Sequence, residues 1–213
     1  MSFRSINGDI LGIIIFKYMF WAFDPSIVGF AHCRPVISID GTHLYGKYKG
    51  KLLIAMAIDT NNEIFPFAFA IMDDETGASW GWFLSCLQIA IQDVVPDSGI
   101  CIISDWHRGI ISSIAQWPND YVPVYHRYCI RHVASNFNTQ FNDKFLKSLA
   151  LKAGYEHQDR KLEKILDCLK EAKLKFSKDL NPNIAKKKSY SYLMKKGLEK
   201  WTLSHDGGYR YEQ

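Results

Sequence analysis

No stretch of this 213-residue chain is apolar for long enough to cross a bilayer as a helix. The best candidate, Ile10 to Phe23, is short and is interrupted by Lys17, below the roughly 18 apolar residues that a span needs. It reads as a core helix, and no signal peptide stands out. Cysteine is sparse as well: Cys33, Cys86, Cys101, Cys129 and Cys168 are odd in number, widely spaced and set in apolar runs. That excludes a disulfide framework and fits a reducing compartment. Internal repeats and low-complexity tracts are lacking, the nearest thing being Lys186-Lys187-Lys188.

What is present suits a packed domain. Hydrophobic residues make up 47% of the chain, enough for a sizeable core. The formal charge is only +4, but it is unevenly placed: fifteen Lys and one Arg fall between Lys144 and Lys200, whereas acidic residues dominate from Asp59 to Asp105. A body carrying a basic arm suits contact with phosphate, and a solvated helical surface would have the same composition.

Three zones follow. Residues 1–33 read as a helical lead-in closed by a turn at Asp24-Pro25-Ser26, residues 34–137 alternate strand and helix signals, and residues 138–213 are helical, charged and rich in lysine. In the middle zone, Pro35-Val36-Ile37-Ser38-Ile39-Asp40 is a β-branched run that stops at an Asp. Lys51 to Asp59 and Glu63 to Met72 are two further apolar runs, set off by glycines and by Asn61-Asn62 as hairpins require. Pro66 sits poorly inside a central strand, so an edge position or a bulge is expected there. Ser79 is a candidate N-cap for a helix whose apolar residues Trp80, Phe83, Leu84, Leu87, Ala90 and Ile91 recur at helical spacing. Ile100 to Ser104 is a fourth strand that again stops at an Asp, Asp105. A short helix from Arg108 to Ala115, a fifth strand at Val122 to Tyr125 and a helix from Tyr128 to Phe141 complete the zone. The order predicts an α/β fold: a mixed five-stranded sheet flanked by helices. In the last zone Leu162, Ile165, Leu166 and Leu169 predict an amphipathic helix within a helical insertion.

Asp40 and Asp105 share a context. Each ends a strand, and ligands of α/β sheets gather outside the carboxyl ends of strands. Two carboxylates brought together there repel each other, and a divalent cation relieves the repulsion. Hard oxygen ligands select Mg²⁺ or Mn²⁺ over zinc, and such ions assist phosphodiester chemistry. Either Asp alone is also an ordinary turn former or helix N-cap.

Several motifs carry a family resemblance. Cys33 to Leu44 (CRPVISIDGTHL) with Gly46-Lys47-Tyr48, Asp73-Asp74-Glu75-Thr76 with Ser79-Trp80 and Trp82-Phe83, and Ile103-Ser104-Asp105 with Gly109-Ile110 resemble successive motifs of the plant Mutator-like element (MULE) transposase domain. So do His126 to His132 (HRYCIRH) with Asn136-Phe137, and Trp201 with His205-Asp206-Gly207-Gly208. The resemblance implies a ribonuclease H-like fold and an Asp-Asp-Glu metal triad whose first two members are Asp40 and Asp105. It implies cut-and-paste DNA transposition in the nucleus, with Mg²⁺ or Mn²⁺ as cofactor. DNA at element ends and target would be the partner, a homo-oligomer is a candidate assembly, and neither a membrane nor a small-molecule substrate is implied. The family's third acidic residue lies beyond the HDGG-like segment. Glu212 comes too early, and Glu199 and Glu171 lie in Lys-rich runs, so weak or no nuclease activity is expected of this chain alone. A non-catalytic DNA-binding regulator descended from a transposase, or an inert relic, are the alternatives.

Cys129 and His132 form the family's Cys-x-x-His motif. The spacing allows two zinc ligands, with His126 and His205 as further candidates, or a core thiol beside a structural histidine. His43, His107, Arg108 and Arg131 are candidate DNA contacts near the two carboxylates or the motif. Arg34 reads as a surface residue at a strand start. Of Trp80 and Trp82, one is expected in the core and the other partly exposed.

Overall fold

The computed structural model describes residues 2–10, 13–47, 49–118, 122–172 and 189–210. The chain divides into two compact units, Met1–His126 and Arg127–Gln213. Lys186 to Lys188 and Glu212 lie outside the described residues.

The first unit is built on a mixed sheet. The sheet's strands are β1 (Ser2–Ile10), β2 (Ile13–Ala22), β3 (Val36–Leu44), β4 (Gly50–Ile58), β5 (Ile64–Met72), β6 (Ile100–Ser104) and β7 (Val124–Tyr128), the last of which runs two residues past the end of the first unit. They lie in the order β1-β2-β5-β4-β3-β6-β7. From β1 to β3 every neighbour in the sheet is antiparallel, whereas β3 pairs with β6 in parallel. Three helices accompany the sheet: α1 (Asp24–Phe30), α2 (Gly77–Ile91) and α3 (Arg108–Ala115).

The expected five-strand sheet is therefore seven strands wide, and the helical lead-in is a correction. The run from Ile13 to Ala22 is a strand that pairs antiparallel with β5, from Tyr18 opposite Met72 to Ala22 opposite Ala68. A short apolar run cannot be told from a buried helix by periodicity, but three consecutive isoleucines and the aromatics after them favour the pleated state. Alternate residues Phe20 and Ala22 are wholly buried on one face. The expected turn at Asp24-Pro25-Ser26 is the first turn of α1, where proline loses no hydrogen bond.

Pro66 is accommodated by a bulge. Ala55 pairs with Ala68 and Met56 with Pro66, so Phe67 is an extra residue at the point where the register shifts. The N-cap of α2 is Thr76 rather than Ser79. The Thr76 Oγ1 accepts from the Ser79 amide at 3.1 Å, and the Thr76 amide donates to the Ser79 Oγ at 2.7 Å. This reciprocal box satisfies two backbone donors at the helix start. Trp80 and Phe83 bury completely beneath α2, together with Ile37, Ile39, Leu53, Ala55, Ile100 and Ile102 of the sheet. Trp82 is half-buried.

The second unit is helical: α4 (Ile130–Phe141), α5 (Lys144–Tyr155), α6 (Asp159–Glu171) and a single turn at Leu198–Trp201. Asp143 caps α5 by accepting from the amides of Phe145 and Leu146. On α6 the buried residues are Leu162, Leu166 and Leu169, the stripe that the spacing predicts. All five cysteines are free thiols. Among the described residues no helix is long and apolar enough to cross a membrane.

Candidate metal centre

The position of Asp40 relative to Asp105 follows from strand register. β3 and β6 pair as Val36 with Cys101, Ile37 with Ile102 and Ser38 with Ile103. The same offset, carried two residues beyond the paired residues, brings Asp40 level with Asp105; β6 stops at Ser104, just before Asp105, but β3 runs on to Leu44 in its ladder with β4, so Asp40 lies within its strand and not at the end expected for it. Neighbouring strands are about 4.8 Å apart. Alternation fixes the face. Ile37, Ile39, Ile100 and Ile102 belong to the core beneath α2, so the residues between them, and the two aspartates in step with those, project from the opposite face. Asp40 is exposed and Asp105 is half-buried.

Backbone donors hold both carboxylates. The Gly41 amide donates to Asp40 Oδ1 at 2.8 Å, and the Trp106 amide donates to Asp105 Oδ1 at 2.6 Å. Behind Asp105 stands a buried strut. Ser104 Oγ, 1% exposed, donates to the Asp105 carbonyl at 2.8 Å and contacts His126 Nε2, also at 2.8 Å. Its single proton goes to the carbonyl, so the His126 Nε2 carries the donated hydrogen. His126 is 7% exposed, and nothing in its sequence position, 22 residues from Ser104, signals the contact.

The other candidates divide between the two units. His107 is the N-cap of α3, its Nδ1 accepting from the Gly109 amide at 3.2 Å. The neutral ring then bears its hydrogen on Nε2. Arg108 is the exposed first residue of that helix. His43 lies three residues beyond Asp40 on β3 and accepts at Nε2 from Lys51 Nζ at 3.1 Å. Lys51 in turn lies 3.7 Å from Glu75, whose other oxygen accepts from the Trp80 indole at 3.2 Å. In the sequence Glu75 stands out only as part of the Asp73-Asp74-Glu75-Thr76 motif. Its tie to Trp80, five residues on, depends on how the chain enters α2.

Cys129, His132 and Arg131 lie in the second unit. Cys129 is the N-cap residue of α4, and Arg131 is exposed. Burial pushes the Cys129 thiol up. Hydrogen bonds from the His132 side chain and amide, the His132 charge and the Arg131 amide together outweigh it, and the pKa falls below its ordinary value. His126 Nε2 is committed to Ser104, and His205 Nδ1 lies 3.5 Å from Asp159. Among the described residues no group of three His, Cys, Asp or Glu side chains is arranged to hold a metal ion. A lowered thiol pKa keeps the nucleophilic thiolate at lower pH. The rate of Cys129 alkylation is therefore expected to rise with a midpoint below that of a free cysteine derivative. His132→Ala should move the midpoint up, since burial then acts with less opposition. Peptide mapping after iodoacetamide labelling across pH reads both, and a wild-type midpoint at or above the free-thiol value contradicts the assignment.

The HDGG-like segment is a built turn in the second unit. Asp206, 3% exposed, accepts from the amides of Gly208 at 2.7 Å and Arg210 at 3.1 Å. Gly207 and Gly208 have φ of 71° and 80°, a region in which side chains are strained. Arg210, also 3% exposed, places Nε 3.6 Å from Asp206 Oδ2 and donates from Nη2 to the carbonyls of Tyr128 and Lys200. Arg127 Nη2 donates to the Asp206 carbonyl at 2.8 Å.

Residues 36–136 match the family model of the MULE transposase domain. The match opens on the first residue of β3 and closes within α4, so it contains Asp40, Asp105, Cys129 and His132. The comparison with curated proteins found no match.

Proposed function

We propose that this chain carries the catalytic core of a MULE-type DNA transposase, with a ribonuclease H-like sheet that presents Asp40 and Asp105 to one divalent cation. The single observation that carries the reading is the parallel register of β3 and β6, whose offset, continued two residues, brings Asp40 level with Asp105. The family match across both residues supports it independently. The three antiparallel strands β3, β4 and β5, followed by β6 parallel to β3, support the fold assignment.

The donor set fits Mg²⁺ or Mn²⁺. Mg²⁺ sites commonly use one or two carboxylates and leave the remaining positions to water and substrate phosphates. When bound, such an ion would activate a water or a 3′-hydroxyl and offset charge on the scissile phosphate. The chain's own residues supply orientation. The Gly41 and Trp106 amides fix one oxygen of each aspartate. Ser104 and His126 hold the backbone on which Asp105 is mounted. His107, with Nδ1 occupied, would offer Nε2–H to a phosphate oxygen, and Arg108 would add a charge at the same place. DNA as substrate makes the nucleus the place of action.

Supercoiled plasmid incubated with the protein and Mg²⁺ or Mn²⁺ tests the reading: with two carboxylates and no third in place, any nicking by this chain alone is expected to be weak, and it should vanish when EDTA replaces the metal or Asn replaces Asp40. DNA binding with no nicking under any metal would favour a non-catalytic regulator. Nicking that Asp40→Asn leaves intact would remove the proposal.

A further inference from the structure

We propose that the outer face of α5, with Lys144, Lys147 and Lys152, grips the backbone of duplex DNA without any metal. The inference rests on the transposase reading above. It extends that reading to a helix that no motif covers and that lies beyond the family match, which closes at residue 136.

Charge is the first argument. Lysine is common throughout the last zone, but the helices there differ. α6 carries Arg160, Lys161, Lys164 and Lys170 against Asp159, Glu163, Asp167 and Glu171, so its charges cancel, and Lys170 pairs with Asp167 at 2.9 Å. That is an ordinary solvated face. α5 has three lysines and no acidic residue. None of the three forms an ion pair among the described residues. Two carboxylates flank the helix, and backbone amides hold both: Asp143 accepts from Phe145 and Leu146, and Glu156 accepts from Gln158. Lys144 and Lys147 also stand near the helix N-terminus, where the macrodipole disfavours a cation. A phosphate docked beside them relieves that conflict.

Geometry is the second argument. Leu146, Leu149, Ala150, Ala153 and Gly154 form the buried side of α5. Lys144, Ser148 and Lys152 recur at i, i+4 and i+8 on the other side. Lys144 and Lys152 are exposed, and half-buried Lys147 flanks the row. From Lys144 to Lys152 the helix rises about 12 Å at roughly 1.5 Å per residue. That is the axial rise of about three to four nucleotides of one strand, a spacing at which lysines neutralise neighbouring phosphates and release counterions. Phe145, 61% exposed, lies beside the row.

The face is also rigid. α5 packs against α4 and α6, and Gly154 leaves no room for a side chain against Ile130 of α4. The Leu203 amide donates to the Gly154 carbonyl at 2.9 Å and the Ser204 amide to the Glu156 carbonyl at 3.1 Å, which pins the end of the helix. A membrane is a poorer fit, because the apolar side that would enter lipid is already inside the unit.

Anisotropy of a short fluorescein-labelled duplex in EDTA tests the face apart from the metal site. Between about 50 and 200 mM salt, the affinity of Lys144→Ala/Lys147→Ala/Lys152→Ala should fall about 40-fold less than the wild type's, since three phosphate contacts are gone. Lys144→Arg/Lys147→Arg/Lys152→Arg should keep the wild-type slope. Arg160→Ala/Lys161→Ala/Lys164→Ala removes as much charge from α6 and should keep it too. Matching melting temperatures show that the variants fold. An unchanged slope in the α5 alanine variant overturns the inference, and so does equal flattening by both alanine variants, which would report net charge alone. Binding to vesicles of phosphatidylserine and phosphatidylcholine without binding to the duplex would assign the face to a membrane and overturn it as well. A chain that nicks DNA with metal but binds no duplex in EDTA overturns this inference alone. One that neither binds nor nicks overturns the transposase reading with it.

Discussion

Asp40→Asn and Asp105→Asn are each expected to lower metal-dependent DNA nicking by about a thousandfold. An ion that stabilises transition-state charge contributes several kcal/mol, and each 1.36 kcal/mol is a factor of ten. Asn keeps the shape of the side chain but cannot supply the negative charge that holds the cation. The same substitutions should leave the metal-free fold intact or slightly firmer. Like charges about 4–5 Å apart repel by about 1 kcal/mol in water, and neutralising one relieves that. The signature is therefore opposite in sign for the two readouts: activity falls while the melting temperature in EDTA holds or rises. A variant that loses activity because it unfolds would show both falling together, and that result would count against a metal-binding role.

Asp206→Ala is expected to cost about 3–5 kcal/mol of stability, the usual penalty for stripping one partner from a buried ion pair. Total stability is typically about 5–15 kcal/mol, so the second unit should be severely weakened. The reason is local. Asp206 neutralises the buried Arg210 and accepts two backbone amides, while Arg127 leans on its carbonyl. Removing the carboxylate takes the counter-charge from a buried guanidinium, which keeps only the Tyr128 and Lys200 carbonyls, and leaves two amides unmatched. Asp206→Asn keeps an acceptor oxygen and should lose less. Denaturant unfolding followed by circular dichroism measures both, and a loss under about 1 kcal/mol for the alanine variant would contradict this role. The HDGG-like segment is thus a structural turn in its own unit, whatever chemistry surrounds it.

Much of the sheet centre was legible because its physics is local. β6 and α3 begin and end where the sequence pattern places them, at Ile100, Ser104, Arg108 and Ala115. β-branched residues ending at an Asp, followed by a short amphipathic run, leave little choice of conformation. The bulge at Pro66 was foreseeable because a proline inside a strand has no amide to give. The N-terminal strands were not legible. Whether Ile13 to Ala22 coils or extends is decided by its partner β5, more than forty residues on in the chain, and no periodicity records that pairing. The N-cap of α2 was misplaced by three residues because Thr76 and Ser79 cap reciprocally, and either reads as a start signal.

The site divides in the same way. Asp105 follows directly on the end of β6 as its sequence context suggested, but Asp40 lies inside β3, which runs on to Leu44 because its ladder with β4 continues past it. The supporting contacts could not be read in advance. Ser104 with His126, and Lys51 with His43 and Glu75, meet only because strands distant in sequence are adjacent in the sheet or a loop turns into a helix. Side chains that face inward in this way look like ordinary polar residues until the register is known.

The shared ion is best tested by Mn²⁺ titration, reading the free-ion signal by electron paramagnetic resonance, for the wild type, Asp40→Asn, Asp105→Asn and the double variant. If both carboxylates hold one cation, each single substitution should weaken binding nearly as much as the two together, because half a site holds little. Losses that simply add, or single variants that bind Mn²⁺ as the wild type does, would show that the two side chains do not form one site.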